Sequence, residues 1–155
     1  MSSAFAGLIA SLSARINVEL AIEDDVKVRA DFDDFALLME YLPGSDQVLL
    51  AASIAEVAAG NRLELYRDIL QGQFIFRQTQ GASLALDPAE KFICLQILQP
   101  LLALTKDNFP DLVENFLNLA EFWRGRCLSW AETSEDGLEA GQPSPAHPGV
   151  EFLRI

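Results

Sequence analysis

His147 is the one histidine in the chain and the first side chain to test for proton-transfer chemistry; it stands in Pro145-Ala146-His147-Pro148. A general base needs a carboxylate or nucleophile held within hydrogen-bond reach, and this Pro-rich neighbourhood supplies none, so His147 reads as a bystander. The pair Asp24-Asp25 and the run Asp31-Phe32-Asp33-Asp34 offer oxygen ligands for a hard cation. Neither is followed by the glycine and closing glutamate that a calcium loop sets at fixed offsets, so the run reads as a strand end and turn. Cys94 and Cys127 form no Cys-x-x-Cys pair and lie in apolar segments, which makes both reduced core thiols rather than metal ligands or a disulfide. No Gly-Lys-Ser/Thr, Ser-x-x-Lys or Gly-x-Ser-x-Gly sequence occurs. The residues therefore predict no enzyme, no metal and no cofactor.

Half of the 155 residues are apolar, enough for one sizeable core. The 23 acidic side chains against 11 basic ones give a net charge of −12, which repels phosphate backbones and anionic lipid and so argues against nucleic acid and membrane as partners. That acidity fits either a solvated surface or a partner rich in Lys and Arg. The start, Met1-Ser2-Ser3-Ala4-Phe5, has no basic leader, and no apolar run reaches the length that spans a bilayer, so a cytoplasmic protein is expected.

Which elements position these residues follows from periodicity. Phe5, Leu8, Ile9, Leu12 and Ile16 recur at spacings of three and four, one face of a helix capped by Ser2 or Ser3. From Asp25 the pattern is strict alternation, with Val26, Val28, Ala30 and Phe32 on one side and Lys27, Arg29, Asp31 and Asp33 on the other. That is a half-buried strand whose polar side marks solvent or a sheet edge. Residues 35–42 and 48–57 flank Pro43-Gly44-Ser45-Asp46 and predict a hairpin. Asn61 opens a second helix with Leu63, Tyr66, Ile69, Leu70 and Phe74 at helical period, interrupted by Gly72. Residues 83–86 and 92–98 form a second hairpin about Asp87-Pro88-Ala89-Glu90. A third helix is predicted over 110–130, with Leu112, Phe116, Leu119, Ala120 and Trp123 as its stripe. The expectation is an α+β domain over residues 1–130, in the order α-β-β-β-α-β-β-α, with helices packed on an antiparallel sheet. The acidic, Gly- and Pro-containing residues 131–155 predict a flexible tail, closing on Val150, Phe152, Leu153 and Ile155, which are able to add a strand or dock in a groove.

Over residues 1–130 this chain resembles the class I type III secretion chaperones of the CesT family, with its SycE-like and ExsC-like members. Three stretches carry the resemblance. They are the first helix ending in Ser13-Ala14-Arg15-Ile16, the segment Ile69-Leu70-Gln71-Gly72-Gln73-Phe74 leading to Gln80-Gly81-Ala82-Ser83-Leu84-Ala85-Leu86-Asp87, and Phe116-Leu117-Asn118-Leu119-Ala120-Glu121-Phe122-Trp123. The resemblance implies a homodimer paired through the second helix and neighbouring strands. It also implies a guest, the N-terminal segment of a secreted effector or a secretion regulator, wrapped in extended form and kept secretion-competent without nucleotide.

Extended-segment binding needs sheet-edge backbone and apolar pockets. The strand with Val26, Val28 and Arg29 is the edge candidate. Pockets would come from Phe5, Leu8, Leu12 and Ile16, and from Leu38 and Leu50, which cannot all face one core. Most of these apolar side chains are expected to build the core and a minority to form the patch. For pairing, Tyr66, Ile69, Leu70 and Phe74 supply apolar area and Gly72 would permit close approach; packing inside a monomer is the competing assignment. The alternative function is a regulatory, sensory or small-molecule-binding domain of the same layout with an enclosed pocket.

Overall fold

Alternating burial along consecutive strands builds the centre of the molecule. In the computed structural model, which describes residues 3–32, 34–57 and 60–132, the order is α1 (Ser3–Ile16), β1 (Lys27–Asp31), β2 (Ala36–Leu42), β3 (Gln47–Glu56), α2 (Arg62–Gln73), β4 (Ser83–Leu86), β5 (Phe92–Pro100) and α3 (Asn108–Glu132). The α+β order read from the sequence is the one observed. All strand pairs are antiparallel, in the spatial order β1-β2-β3-β5-β4. Register places Val28, Met39 and Leu50 in one row, and Ala30, Leu37, Ala52, Leu95 and Leu84 in the next. These rows face the helices, while Arg29, Leu38, Ala51 and Gln96 line up on the other face. A register shift between Ser53 and Ala55 lets both Ile54 and Ala55 be buried, as a bulge permits.

The helices close the inner face. Phe5, Leu8, Ile9 and Leu12 of α1 are buried, and the Phe5 ring stacks 6.0 Å from Tyr41. Phe109, Val113, Phe116, Ala120, Trp123 and Cys127 form the buried stripe of α3 at spacings of four and three. That helix starts with a reciprocal exchange, Asn108 N donating to Thr105 Oγ1 at 3.1 Å and Thr105 N to Asn108 Oδ1 at 2.8 Å.

Four local expectations are corrected. Asp24 and Asp25 both take left-handed backbone, with φ of 49° and 63°, and Val26 N donates to Glu23 O at 3.1 Å. Val26 therefore belongs to a tight turn, a conformation aspartate tolerates, and the strand begins at Lys27. Helix α2 runs unbroken through Gly72. Ala131 and Glu132 belong to α3 rather than to a tail. Cys94 lies half-exposed on the sheet face opposite the buried rows, with its Sγ 3.6 Å from Ser53 Oγ, so it is not a core thiol. His147, the remainder of the 131–155 stretch and the 150–155 terminus lie outside the described residues. No helix among the described residues is long and apolar enough to cross a membrane.

Candidate functional site

Strand β1 is an edge of the sheet. Its hydrogen bonds decide which backbone groups face outward. Val26 O accepts from Tyr41 N at 2.8 Å, and Phe32 N donates to Phe35 O at 2.9 Å. Antiparallel bonding alternates along a strand, so the even-numbered residues face β2 and Lys27, Arg29 and Asp31 direct N–H and C=O away from it. Glu23 occupies both groups of Lys27, at 2.6 and 2.9 Å. Among the described residues, the open edge is thus the backbone of Arg29 and Asp31.

Beside this edge lies a groove of about 320 Å³ between the end of α1, the inner side of β1 and β2, and the first half of α3. Leu12, Leu37, Met39 and Val113 form its buried floor, while Ile16, Leu20, Phe32 and Leu117 stand around it partly or fully exposed. Ile16 is 39% and Phe32 36% exposed, so the groove opens to solvent. Arg15 and Glu114 also line it; Arg15 Nη2 lies 3.0 Å from Asp111 Oδ1 and 3.8 Å from Glu114 Oε2. Ala30, on the strand that carries the open edge, and Phe32, directly after it, line the groove. A guest strand paired with β1 would therefore hang alternate side chains over an apolar trough.

The residues expected to meet a guest divide between core and surface. Phe5, Leu8, Val28 and Leu50 are wholly committed to the core, at 0 to 3% exposure. They can act on a guest only by shaping what lies above them. Leu12 and Ile16 line the groove, Arg29 supplies edge backbone, and the half-buried Leu38 sits on the opposite face of the sheet. Leu20, Val113 and Leu117 were not singled out in the sequence. Val113 and Leu117 are one turn apart on α3, a spacing that marks a common face but not that the face borders a groove.

The second apolar surface is on α2. Leu63, Leu70 and Phe74 are 69%, 70% and 67% exposed and, with Tyr66, Arg67 and Gln71, bound a shallow hollow of about 460 Å³. Ile69 and Gly72 are buried instead. Gly72 is required by the chain itself: a Cβ there would strike the Trp123 ring at Cη2, so the glycine admits the indole. The back of α2 is fixed to α3 by a polar clamp. Arg126 Nε donates to Asp68 Oδ2 at 2.7 Å and its Nη2 to Asp68 Oδ1, while Trp130 Nε1 donates to Oδ2 at 3.1 Å. Arg126 also lies over the Trp123 ring, 5.1 Å from its centroid. Burial pushes the Asp68 carboxyl up, but the Arg126 and Trp130 hydrogen bonds and the Arg126 charge outweigh it and hold the pKa below the ordinary value. Burial pushes the nearby Cys127 thiol up to about 11, which removes it as a nucleophile at neutral pH.

Comparison with known proteins places the fold and the family. The family model described as the Tir chaperone protein (CesT) family matches residues 7–124. No match was found among curated protein sequences. Among solved structures, a chain of the ExsC-ExsE complex superposes with a TM-score of 0.68 at 19% identity, covering 80% of this chain and 94% of that one. The heterodimeric ExoU-SpcU complex from the type III secretion system of Pseudomonas aeruginosa gives 0.62 at 18% identity, covering 81% and 98%. The HopA1-SchA chaperone-effector complex gives 0.61 at 16%, covering 83% and 94%. These likenesses establish a shared fold across nearly the whole of each neighbour. The matched family is one of chaperones rather than enzymes. With the family model spanning α1 through most of α3, the chain belongs to the Tir chaperone protein (CesT) family of type III secretion chaperones.

Proposed function

We propose that this chain holds the N-terminal segment of a secreted effector, or of a secretion regulator, in extended form before export from the cytoplasm. The observation that carries the reading is the continuity between the open backbone of Arg29 and Asp31 and the groove lined by Ala30, Phe32, Leu12 and Ile16. Backbone bonds supply affinity that ignores sequence, and the trough selects apolar residues at every second position. Nothing in such a site needs a nucleotide or a reacting group, so the chain acts by binding and not by catalysis. The exposed Leu63, Leu70 and Phe74 face of α2 supports a homodimer, in which two copies present two grooves to one guest.

Co-expression with N-terminal segments of proteins exported by the same cell tests the reading, with mass read by light scattering after size-exclusion chromatography. The expected product is a soluble complex of two copies with one segment. Recovery of the chain without any segment would overturn it.

A further inference from the structure

The groove does not end at Phe32. Phe32, Leu117 and Asn118 also line a second cleft of about 200 Å³, completed by Asp34, Phe35 and Glu121. The Phe32 and Phe35 rings lie 6.3 Å apart and form its apolar wall. Its charged lining is acidic. Asp34 is exposed and among the described residues meets only one edge of Arg124, at 3.4 Å, and Arg124 also donates to Ile54 O at 3.0 Å. Glu121, one turn beyond Leu117, is exposed and has no ion-pair partner among the described residues. The other end of the groove differs, because there Arg15 sits against Glu114 and Asp111. Since Phe32 N turns back to Phe35 O, β1 stops where this cleft opens. A guest strand running along Arg29 and Asp31 leaves the sheet edge there.

Resting on the reading of the groove as a guest site, we infer that this second cleft sets which guests are taken. It accepts an apolar residue against Phe32, Phe35 and Leu117, followed by a lysine or arginine that pairs with Asp34 and Glu121. The guest class is an extended peptide whose apolar alternation ends in a basic residue. Long basic side chains suit the place, because their methylene stems cover the aromatic wall while the charge reaches the rim. Selection of a phage-displayed library of random 20-residue peptides on the immobilised full chain tests this. Peptides retained by the unaltered chain should be enriched in Lys and Arg directly after an apolar residue. The enrichment should fall to the library background on the double variant Asp34→Asn, Glu121→Gln, and persist on Glu90→Gln, Asp107→Asn, which removes the same charge elsewhere. A synthetic peptide from the first selection should bind the Asp34, Glu121 variant about fivefold more weakly, the scale of exposed charge pairs. Equal basic enrichment on both variants would overturn the inference and assign the preference to overall acidity, leaving the groove reading intact. Peptides that bind equally well to an Ile16→Asp, Arg29→Pro variant, or no retained peptides at all, would overturn both.

Discussion

A methyl group at position 72 would strike the Trp123 indole, and that indole is itself fully buried, with its Nε1 donating to Gln78 O at 3.2 Å. Neither side can give way cheaply, since the ring is held by a hydrogen bond and by Arg126 above it. Gly72→Ala should therefore destabilise the fold by about 2 kcal/mol through overpacking, despite alanine's better helix propensity. Thermal denaturation should show a midpoint lower by roughly 4–8 °C, and adding Trp123→Phe should recover part of the loss. An undiminished midpoint would mean that α2 and α3 separate more easily than their packing suggests. Asp68 makes a prediction in pH. Its folded pKa lies below the unfolded one, so its contribution is complete above about pH 4 and lost as pH falls through the folded value. Asp68→Asn should cost about 2 kcal/mol at pH 7 by stranding the Arg126 contacts, and the difference from the unaltered chain should shrink toward pH 3. A difference that stays constant over that range would assign the effect to packing alone.

At the scale of elements, β1 is short, and in the proposed function it acts through its outer side. Arg29 directs its N–H away from β2, so proline at that position removes no bond of the sheet, and an edge strand accepts it. Arg29→Pro should leave stability within about 1 kcal/mol of the parent while abolishing recovery of a co-expressed guest segment. Arg29→Ala, which keeps the N–H, should retain it. If both variants bind alike, strand addition at β1 is the wrong mode. The edge was legible from the sequence because alternation between Val28, Ala30 and Phe32 and the charges between them needs one wet side. The groove was legible only in part. Periodicity identified the apolar face of α1 and the stripe of α3, but it reports which side of an element is apolar, not which part of that side a neighbour leaves uncovered. Phe5 and Ile16 share a face; only the second reaches past the end of the covering layer. Leu117 lies about 100 residues from Leu12, and no local pattern brings the two together. Gly72 was legible only in part for a related reason. A glycine in a helix announces a close approach without naming the partner, and within the chain that partner is Trp123.

For the molecule as a whole, the proposed homodimer would make the α2 surface the one that sets how many guest sites one particle carries. Leu63, Leu70 and Phe74 are each about two thirds exposed, and Ile75 and Phe76 continue the surface at 56% and 51%. Both of the latter sit in left-handed backbone, with φ of 50° and 57°, a conformation that β-branched and aromatic residues rarely adopt. The chain thus tolerates local strain here while leaving two further large apolar side chains in water. A contiguous patch of this kind marks an association surface, and a face that meets itself across a two-fold axis contributes each side chain twice. Covering Leu70 and Phe74 in both copies should contribute about 1–2 kcal/mol per side chain, so four side chains are worth about 4 kcal/mol or more. Leu70→Glu, Phe74→Glu should then weaken self-association by about a thousandfold or more, and like charges facing across the axis would add to the loss. Sedimentation at micromolar concentration should give a dimer for the parent chain and a monomer for the variant. Because α1, β1 and the groove lie on other elements, the monomeric variant should still bind a peptide confined to one groove with unchanged affinity. It should lose a longer segment that spans two grooves, since avidity depends on both being in one particle. Equal loss of the short and the long peptide would place the guest on α2 itself and refute the division of labour between the two surfaces.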